Sequence, residues 1–548
     1  MSSRSPDDLR LVTPQYGPGA RTGEEPEDPH ELLHRARRLT ADGHPSAGGA
    51  WERAATALRR AGGAITPGDH GDALDATALD CRGRAGTAAG PLFSRAAELH
   101  ERAGRRGKAL VSRARALLSA PEPGATACAG LAELGERATA LHAAGQATAA
   151  ETATVLLLRC RARADLLDTG PDPAAEAAAL RRDLAALIAF AGPHRAAPAV
   201  RDALAEARTL LGRVHAAEDP AAALAPLRAA VADRLAEGRP WQAVESTLLL
   251  AGVLRATGEQ AEAAALLRAA LGTPATAGAL RSADRARLCL ALARTLAAAG
   301  DGTDGDERVA LLADAVRHAD AVAGDSGLST LARLALGIAR AEQGRWREAS
   351  AALREALSGL ADDGDDETAR VRARAWLAYC ALCLGRPDRA ARDFARAAAE
   401  VRRWADRRHG AALSHLTAHA LHAAGSPEKA ARAYERAADL WRSADEHAAA
   451  ARSLRARARR IRELWGADAA EVVEREALRE AARGLPDGGD GDGAADDARG
   501  WLRRLPEPYG PPGRHQVNVY GEVGGAGSGP SGRRRPEERR VSRVRGCE

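Results

Sequence analysis

Aromatic side chains make up only 3% of this 548-residue chain, with three Phe, and there is a single Met. Alanine carries much of the apolar share instead. Ala is the best helix former and buries little area, so the composition argues against a thick core and for helices packed closely through small side chains. Runs of β-branched and aromatic residues with period two are nearly absent, which argues against sheets. No uncharged apolar run reaches the ~18 residues of a membrane span, and the opening MSSRSPDDLRLVTPQYG lacks the apolar stretch of a secretory leader. The seven Cys are scattered and odd in number, so a disulfide framework is not expected. Together these absences predict a soluble, reduced, cytoplasmic helical chain with no membrane partner.

Lysine is scarce as well: Lys108 and Lys429 are the two in the chain, and the other cations are Arg. The formal net charge is +5, but residues 531–548 hold seven Arg against three Glu, which leaves the remainder near neutrality. No basic stripe with interleaved aromatics marks the body as a nucleic-acid binder. If nucleic acid is a partner at all, the basic tail is the expected contact.

The length is too great for one compact core, so several domains or an extended array are expected. Residues 1–28, rich in Pro, Gly and Glu, read as a disordered lead. From Asp28 onwards, helical patterns of 12–20 residues alternate with short Gly, Pro or Asp breaks. The segments GIARAEQGRWREASAALREAL, AYCALCLGRPDRAARDFARAA and AHALHAAGSPEKAARAYERAA share one scheme. Each has a small residue (Gly337, Ala378, Ala418), a Gly seven later (Gly344, Gly385, Gly425), and Ala five further on (Ala349, Ala390, Ala430). A large residue follows (Leu353, Phe394, Tyr434), then another Ala (Ala356, Ala397, Ala437). AGVLRATGEQAEAAALLRAAL repeats the scheme around Gly258, and VHAAEDPAAALAPLRAAV echoes it at Glu218. The anchors 218, 258, 300, 344, 385 and 425 lie 40 to 44 residues apart, with Gly104 and Gly145 as a weaker pair. The Gly ends one helix in a left-handed conformation, the small residues mark close crossings, and the large residue is expected to fill the gap to the neighbouring hairpin. Such hairpins must stack to bury their apolar faces.

This pattern resembles the tetratricopeptide repeat over residues 204–440, and more loosely over 90–160, with a period near 40 rather than 34. HEAT-type repeats are the rival at that period. The resemblance implies an all-α, right-handed superhelical solenoid of antiparallel hairpins, like the degenerate repeats of large bacterial regulators. The expected organisation is divergent helical repeats at 29–200, the main array at 201–465, capping helices at 466–505 and a disordered basic Gly/Pro/Arg-rich tail at 506–548. Within the tail HQVNVYGEV alternates as a strand does, and WLRRL before it is a short amphipathic piece.

Three stretches invite chemistry. His30-Glu31-Leu32-Leu33-His34 spells H-E-x-x-H, the zinc-hydrolase motif. No metzincin continuation follows it, Asp28-Pro29 is an ordinary helix start, and Leu32, Leu33, Ala36 and Leu39 form an apolar stripe. A first helix is the better reading, with zinc hydrolysis as an alternative. Cys380-Ala-Leu-Cys383 has redox spacing but falls mid-helix rather than at a helix start after a strand. The acidic breaks 300–307, 361–367 and 487–497 lack the order of a calcium loop and read as linkers. No cofactor, metal or catalytic residue is expected.

In tetratricopeptide repeats the first helix of each hairpin lines the inner groove. The resemblance therefore places His415, His419 and His422 there, with Tyr379 and Arg372 in the preceding unit and Arg255 and Glu245 further back. Three clustered imidazoles would make the groove sensitive to pH between about 5 and 7. The implied function is a non-enzymatic binding scaffold or regulatory sensor that takes a partner peptide or protein in its concave groove. A nucleic-acid-linked transcriptional or signalling regulator working through the tail is the alternative.

Overall fold

A computed structural model describes residues 28–41, 47–60, 66–81, 89–119, 124–169, 172–236, 240–272, 280–299, 305–322, 326–360, 367–483 and 494–506. Among these residues the regular elements are all helices. They run α1 (Pro29–Ala41), α2 (Ala47–Arg60), α3 (Pro67–Cys81), α4 (Ala89–Arg102), α5 (Arg106–Leu118), α6 (Gly124–Ala143), α7 (Ala149–Thr169), α8 (Pro173–Ala191), α9 (Pro198–Glu218), α10 (Pro220–Ala236) and α11 (Val244–Ala256). They continue as α12 (Gln260–Gly272), α13 (Ser282–Ala299), α14 (Gly305–Asp320), α15 (Ser326–Glu342), α16 (Trp346–Gly359), α17 (Glu367–Cys383) and α18 (Pro387–Glu400). The last are α19 (Arg407–Ala423), α20 (Pro427–Arg442), α21 (His447–Trp465), α22 (Ala467–Arg483) and α23 (Ala494–Arg503). Contacts divide the chain into two compact units, Met1–Val253 with Thr273–Ala279, and Leu254–Gly272 with Leu280–Glu548.

The turn glycines do what their spacing predicts. Gly104, Gly145, Gly258, Gly344, Gly385 and Gly425 all have φ between 69° and 88°, a region that only Gly enters without cost. The residue after each Gly then donates its N–H back across the end of the helix. Arg345 reaches the Arg340 carbonyl at 2.9 Å, Arg386 that of Ala381 at 2.9 Å and Ser426 that of Leu421 at 3.0 Å. This is the six-to-one bond of a Schellman end. The next helix starts at once, at Pro387 in α18 and Pro427 in α20, where the missing N–H is harmless. Helices α15 and α16, α17 and α18, α19 and α20, and α21 and α22 therefore form successive antiparallel hairpins of the second unit, each packed on the next.

Small residues let the two helices of a hairpin meet. A Cβ built on Gly337 would lie 2.6 Å from Leu353 Cγ, and one on Gly212 2.5 Å from Leu227 Cγ. The large residue thus closes the crossing inside its own hairpin at these two places, whereas the spacing suggested a neighbour's gap. Phe394, Leu353 and Ala378 are wholly buried in one core with Trp376.

The arginines also follow the repeat. Arg37 pairs with Asp69, Arg181 with Glu218, Arg268 with Glu307 and Arg442 with Glu480 at 2.6–3.0 Å. The partners lie 32 to 39 residues apart, about one repeat. Much of the cationic charge is therefore spent between successive hairpins rather than offered to a polyanion.

The chemical motifs of the sequence fall on ordinary helices. In α1 the Asp28 carboxylate accepts from the His30 N–H at 2.9 Å, and Leu32 and Ala36 are buried while His30, Glu31 and His34 are exposed. Among the described residues no three His, Cys, Asp or Glu converge as metal ligands; His44 lies outside those residues. Cys380 is buried within α17, where desolvation pushes its thiol up to about 12, and Cys383 is exposed. No described helix is long and apolar enough to cross a membrane. The strand-like 515–523 and the basic tail lie outside the described residues.

Candidate functional site: a groove holding the chain's own helix

The first helices of the second unit, α15, α17, α19 and α21, share one face, and segment 494–506 lies on it. The segment is short but amphipathic. Ala498, Trp501, Leu502 and Leu505 are buried and belong to the same core as Trp376 and Leu416. Helical spacing of i, i+3 and i+4 puts those four on one stripe. Trp501 is the anchor: its ring centroid is 4.8 Å from that of His415, edge-on, and 5.9 Å from that of Trp441. The Arg452 guanidinium sits 5.9 Å from the same ring, within cation–π range.

Polar contacts fix the ends. Arg372, itself buried, donates to the carbonyl of Leu505 and, at 3.4 Å, to that of Pro506. These carbonyls lie just past the end of α23, near the unpaired carbonyls of its last turn that form the negative end of its dipole, so a cation is favoured there. Arg499 donates to the Tyr379 hydroxyl at 3.1 Å and lies 5.6 Å from the Trp346 ring. Arg503 donates to Glu342 at 2.7 Å. Burial alone would raise the Glu342 carboxyl; Arg308 and Arg503 outweigh it and hold the group below the usual carboxylate range.

The histidines differ from one another. His415 keeps only partial exposure, and its Nδ1 is 2.9 Å from Ser453 Oγ. Ser453 gives its own proton to the Ala449 carbonyl, which assigns the imidazole N–H as donor to the hydroxyl. Packed between Tyr434 and Trp501, the ring is pushed down to about 3, by desolvation first and then by His419 and Arg452. The expected titration between pH 5 and 7 is thus absent at His415, because a charge there has no water to solvate it. His419 is also lowered, by burial and then by His422 and Arg460. His422 Nε2 accepts from Arg460.

Of the residues singled out from the sequence, His415, Tyr379 and Arg372 come together around segment 494–506. His419 and His422 continue along α19 toward Arg460. Arg255 donates to Thr295 at 3.4 Å within the second unit. Glu245 lines a separate polar cavity of about 430 Å³ in the first unit, with Arg161, Glu206 and Arg234. The residues missed are Trp501, Leu502, Leu505 and Arg499, together with Trp346, Glu342 and Trp441 beneath them. The signal existed: Trp501, Leu502 and Leu505 in WLRRL have helical spacing, but nothing local says which surface such a stripe covers.

No family profile matches the chain, and no curated protein does. Among solved structures, a putative kinesin light chain of Podosopora anserina with TPR-like repeats is 23% identical over 37% of this chain and 95% of its own, at a TM-score of 0.32. A signal-transduction ATPase with a tetratricopeptide repeat sensor from Pyrococcus horikoshii is 12% identical, covering 83% of this chain and 73% of its own, at 0.39. The apo form of RapI is 12% identical over 83% and 99%, at 0.37. Scores of this size carry no argument about function. On its own Gly-ended, small-residue-crossed hairpins, the chain is a tetratricopeptide-like helical-repeat protein.

Proposed function

We propose that the second unit is a docking scaffold for an amphipathic helical segment of a protein partner, and that segment 494–506 holds the groove until a partner displaces it. The observation that carries this reading is Trp501, an aromatic anchor seated between His415, Trp441 and Arg452 on the first-helix face. Helix-in-groove recognition works through such i, i+3, i+4 anchors, and buried Trp and Arg dominate binding energies. The geometry gives no comparable support to the zinc reading, and the tail on which the nucleic-acid reading depends lies outside the described residues.

The test uses full-length protein and a dye-labelled peptide of residues 494–506. Trp501→Ala in the protein loosens the resident segment, so the variant should bind the peptide at least about tenfold more tightly than the parent. Equal affinity for both proteins, or no binding to the variant, would reject the reading.

A further inference from the structure

On the opposite side of α19 lies a second groove. Gly410, Ser414, Thr417 and Leu421 form its base, and α18 and α20, the second helices of successive hairpins, form its walls. These base positions repeat at four, three and four residues, so they share a helix face, and His415, His419 and His422 fall on the other. The cavity measures about 930 Å³. Its lining carries Arg392, Arg402, Arg407, Lys429, Arg432 and Arg436, all exposed, against one carboxylate, Asp388.

That imbalance is local and unusual for this chain. Elsewhere many arginines are matched by acids, one repeat away as in Arg181–Glu218 or one turn away as in Arg345–Glu348. Three neighbouring acids are already engaged: Glu435 with Arg457 at 2.7 Å, Glu446 with Arg408 at 2.9 Å and Asp439 with Arg442 at 3.1 Å. None of the six cations has an ion-pair partner among the described residues. One repeat earlier, the corresponding groove between α16 and α18 holds Arg347, Arg354, Arg386 and Arg389 and no carboxylate. Like charges crowded along two successive grooves repel one another, so an anionic ligand relieves a standing cost.

We propose that this outer groove binds an acidic peptide segment of a protein partner, with apolar side chains interleaved among its carboxylates. The floor decides between polyanions. Beside the base residues Ser414 and Thr417 it is aliphatic, with Ala391, Val401, Leu421 and Leu440, and its one aromatic, Trp404, lies edge-on to His409 at 5.6 Å. Single-stranded nucleic acid is gripped by successive aromatic platforms on which bases stack, and the groove has no such series. Leu and Ile side chains fit this floor, while carboxylates meet the rim. Arg392 lies on α18, Arg402 just past its end, Arg407 on α19 and Lys429, Arg432 and Arg436 on α20, a spread suited to an extended chain.

The experiment uses the full-length protein and fluorescence anisotropy of a dye-labelled 14-residue peptide alternating Glu with Leu. Its competitors are the Gln-for-Glu version and a 20-nucleotide single-stranded DNA. The comparison protein carries Lys429→Glu, Arg432→Glu and Arg436→Glu, exposed positions remote from segment 494–506, with helicity checked by circular dichroism. The peptide should bind the parent, weaken with added salt, and bind the triple variant at least about tenfold less well, while the Gln version competes poorly. Unchanged affinity in the variant overturns the proposal, since another cationic surface is then the binder. So does failure of the parent to bind. Displacement of the peptide by the DNA at lower concentration than by unlabelled peptide assigns the groove to nucleic acid and overturns it too. Because the substitutions leave the Trp501 groove intact, a negative result here leaves the helix-docking reading standing, and the converse also holds.

Discussion

Two glycines of the same repeat scheme are required for different reasons. Gly385 has φ of 71° with no heavy atom within 4 Å of a built Cβ, so Ala there meets only backbone strain. Gly337 lies in a helix, but its added Cβ would press on the Leu353 side chain at 2.6 Å and the Leu353 backbone nitrogen at 3.2 Å. Gly385→Ala should cost about 1 kcal/mol, and Gly337→Ala about 2–3 kcal/mol because the crossing must open. Denaturant unfolding followed by Trp fluorescence checks the order. Adding Leu353→Ala should recover part of the Gly337→Ala loss and nothing of the Gly385→Ala loss. His415 supplies a residue-scale pH effect. Its folded-state pKa of about 3 lies below the unfolded ~6.5, so the unfolded chain takes up the proton first. Stability attributable to this residue is complete above about pH 6.5 and is lost progressively as pH falls toward 3. Between pH 7.5 and 5 the parent should lose about 1–2 kcal/mol that His415→Gln does not lose. A parallel loss in both proteins would show that other groups set the slope.

At the scale of elements, the hairpins were legible and the partner of α23 was not. Gly344, Gly385 and Gly425 announce their turns because only one residue type fits the backbone there, and the Ala positions repeat with the helix. The stripe Trp501, Leu502, Leu505 is as regular, yet its burial depends on residues 60 to 130 positions away, such as Trp441 and Tyr379, and no local rule links them. The seven groove residues implied by the resemblance lie on first helices, and three of them, His415, Tyr379 and Arg372, border the resident segment. That the chain itself returns over them is not visible in the sequence. Helix α23 is ten residues long, too short to persist alone in water. Trp501→Ala should therefore release it as a unit, removing about ten residues' worth of helical signal while the stack stays folded. Hydrogen exchange should quicken in α23 itself, and at the ends of α17 and α19 only modestly. Collapse of exchange protection throughout the second unit would instead make the segment part of the stack's own core.

Over the whole molecule, arginines of the described residues serve as staples between repeats, as contacts to segment 494–506 and as the rim of the outer groove, besides pairing within helices. The staples are unequal. Arg268 and Glu307 both keep substantial contact with solvent, and such pairs contribute little. Glu480 is buried, and burial would raise its carboxyl; hydrogen bonds from His447 and Arg442 outweigh that and hold it below its usual range. Arg268→Ala should change stability by no more than about 0.5 kcal/mol. Arg442→Ala removes one of the partners of a buried carboxylate, leaving Arg483 and His447, and should cost about 1–2 kcal/mol. The same unfolding assay distinguishes them, and equal losses would mean that burial of Glu480 is not what sets the cost.

Ten residues, 484–493, join the end of α22 to the start of α23. Tethered this closely, segment 494–506 faces its groove at an effective concentration on the order of millimolar, whatever the amount of protein present. A free competitor therefore meets a threshold set by the ratio of that concentration to the segment's own dissociation constant. If the free peptide binds at about 100 µM, a rival of equal intrinsic strength appears roughly tenfold weaker than it is. Lengthening the tether would lower the threshold without altering a single contact in the groove. If partners enter as proposed, the length of the span between 483 and 494 would set the gain on their entry.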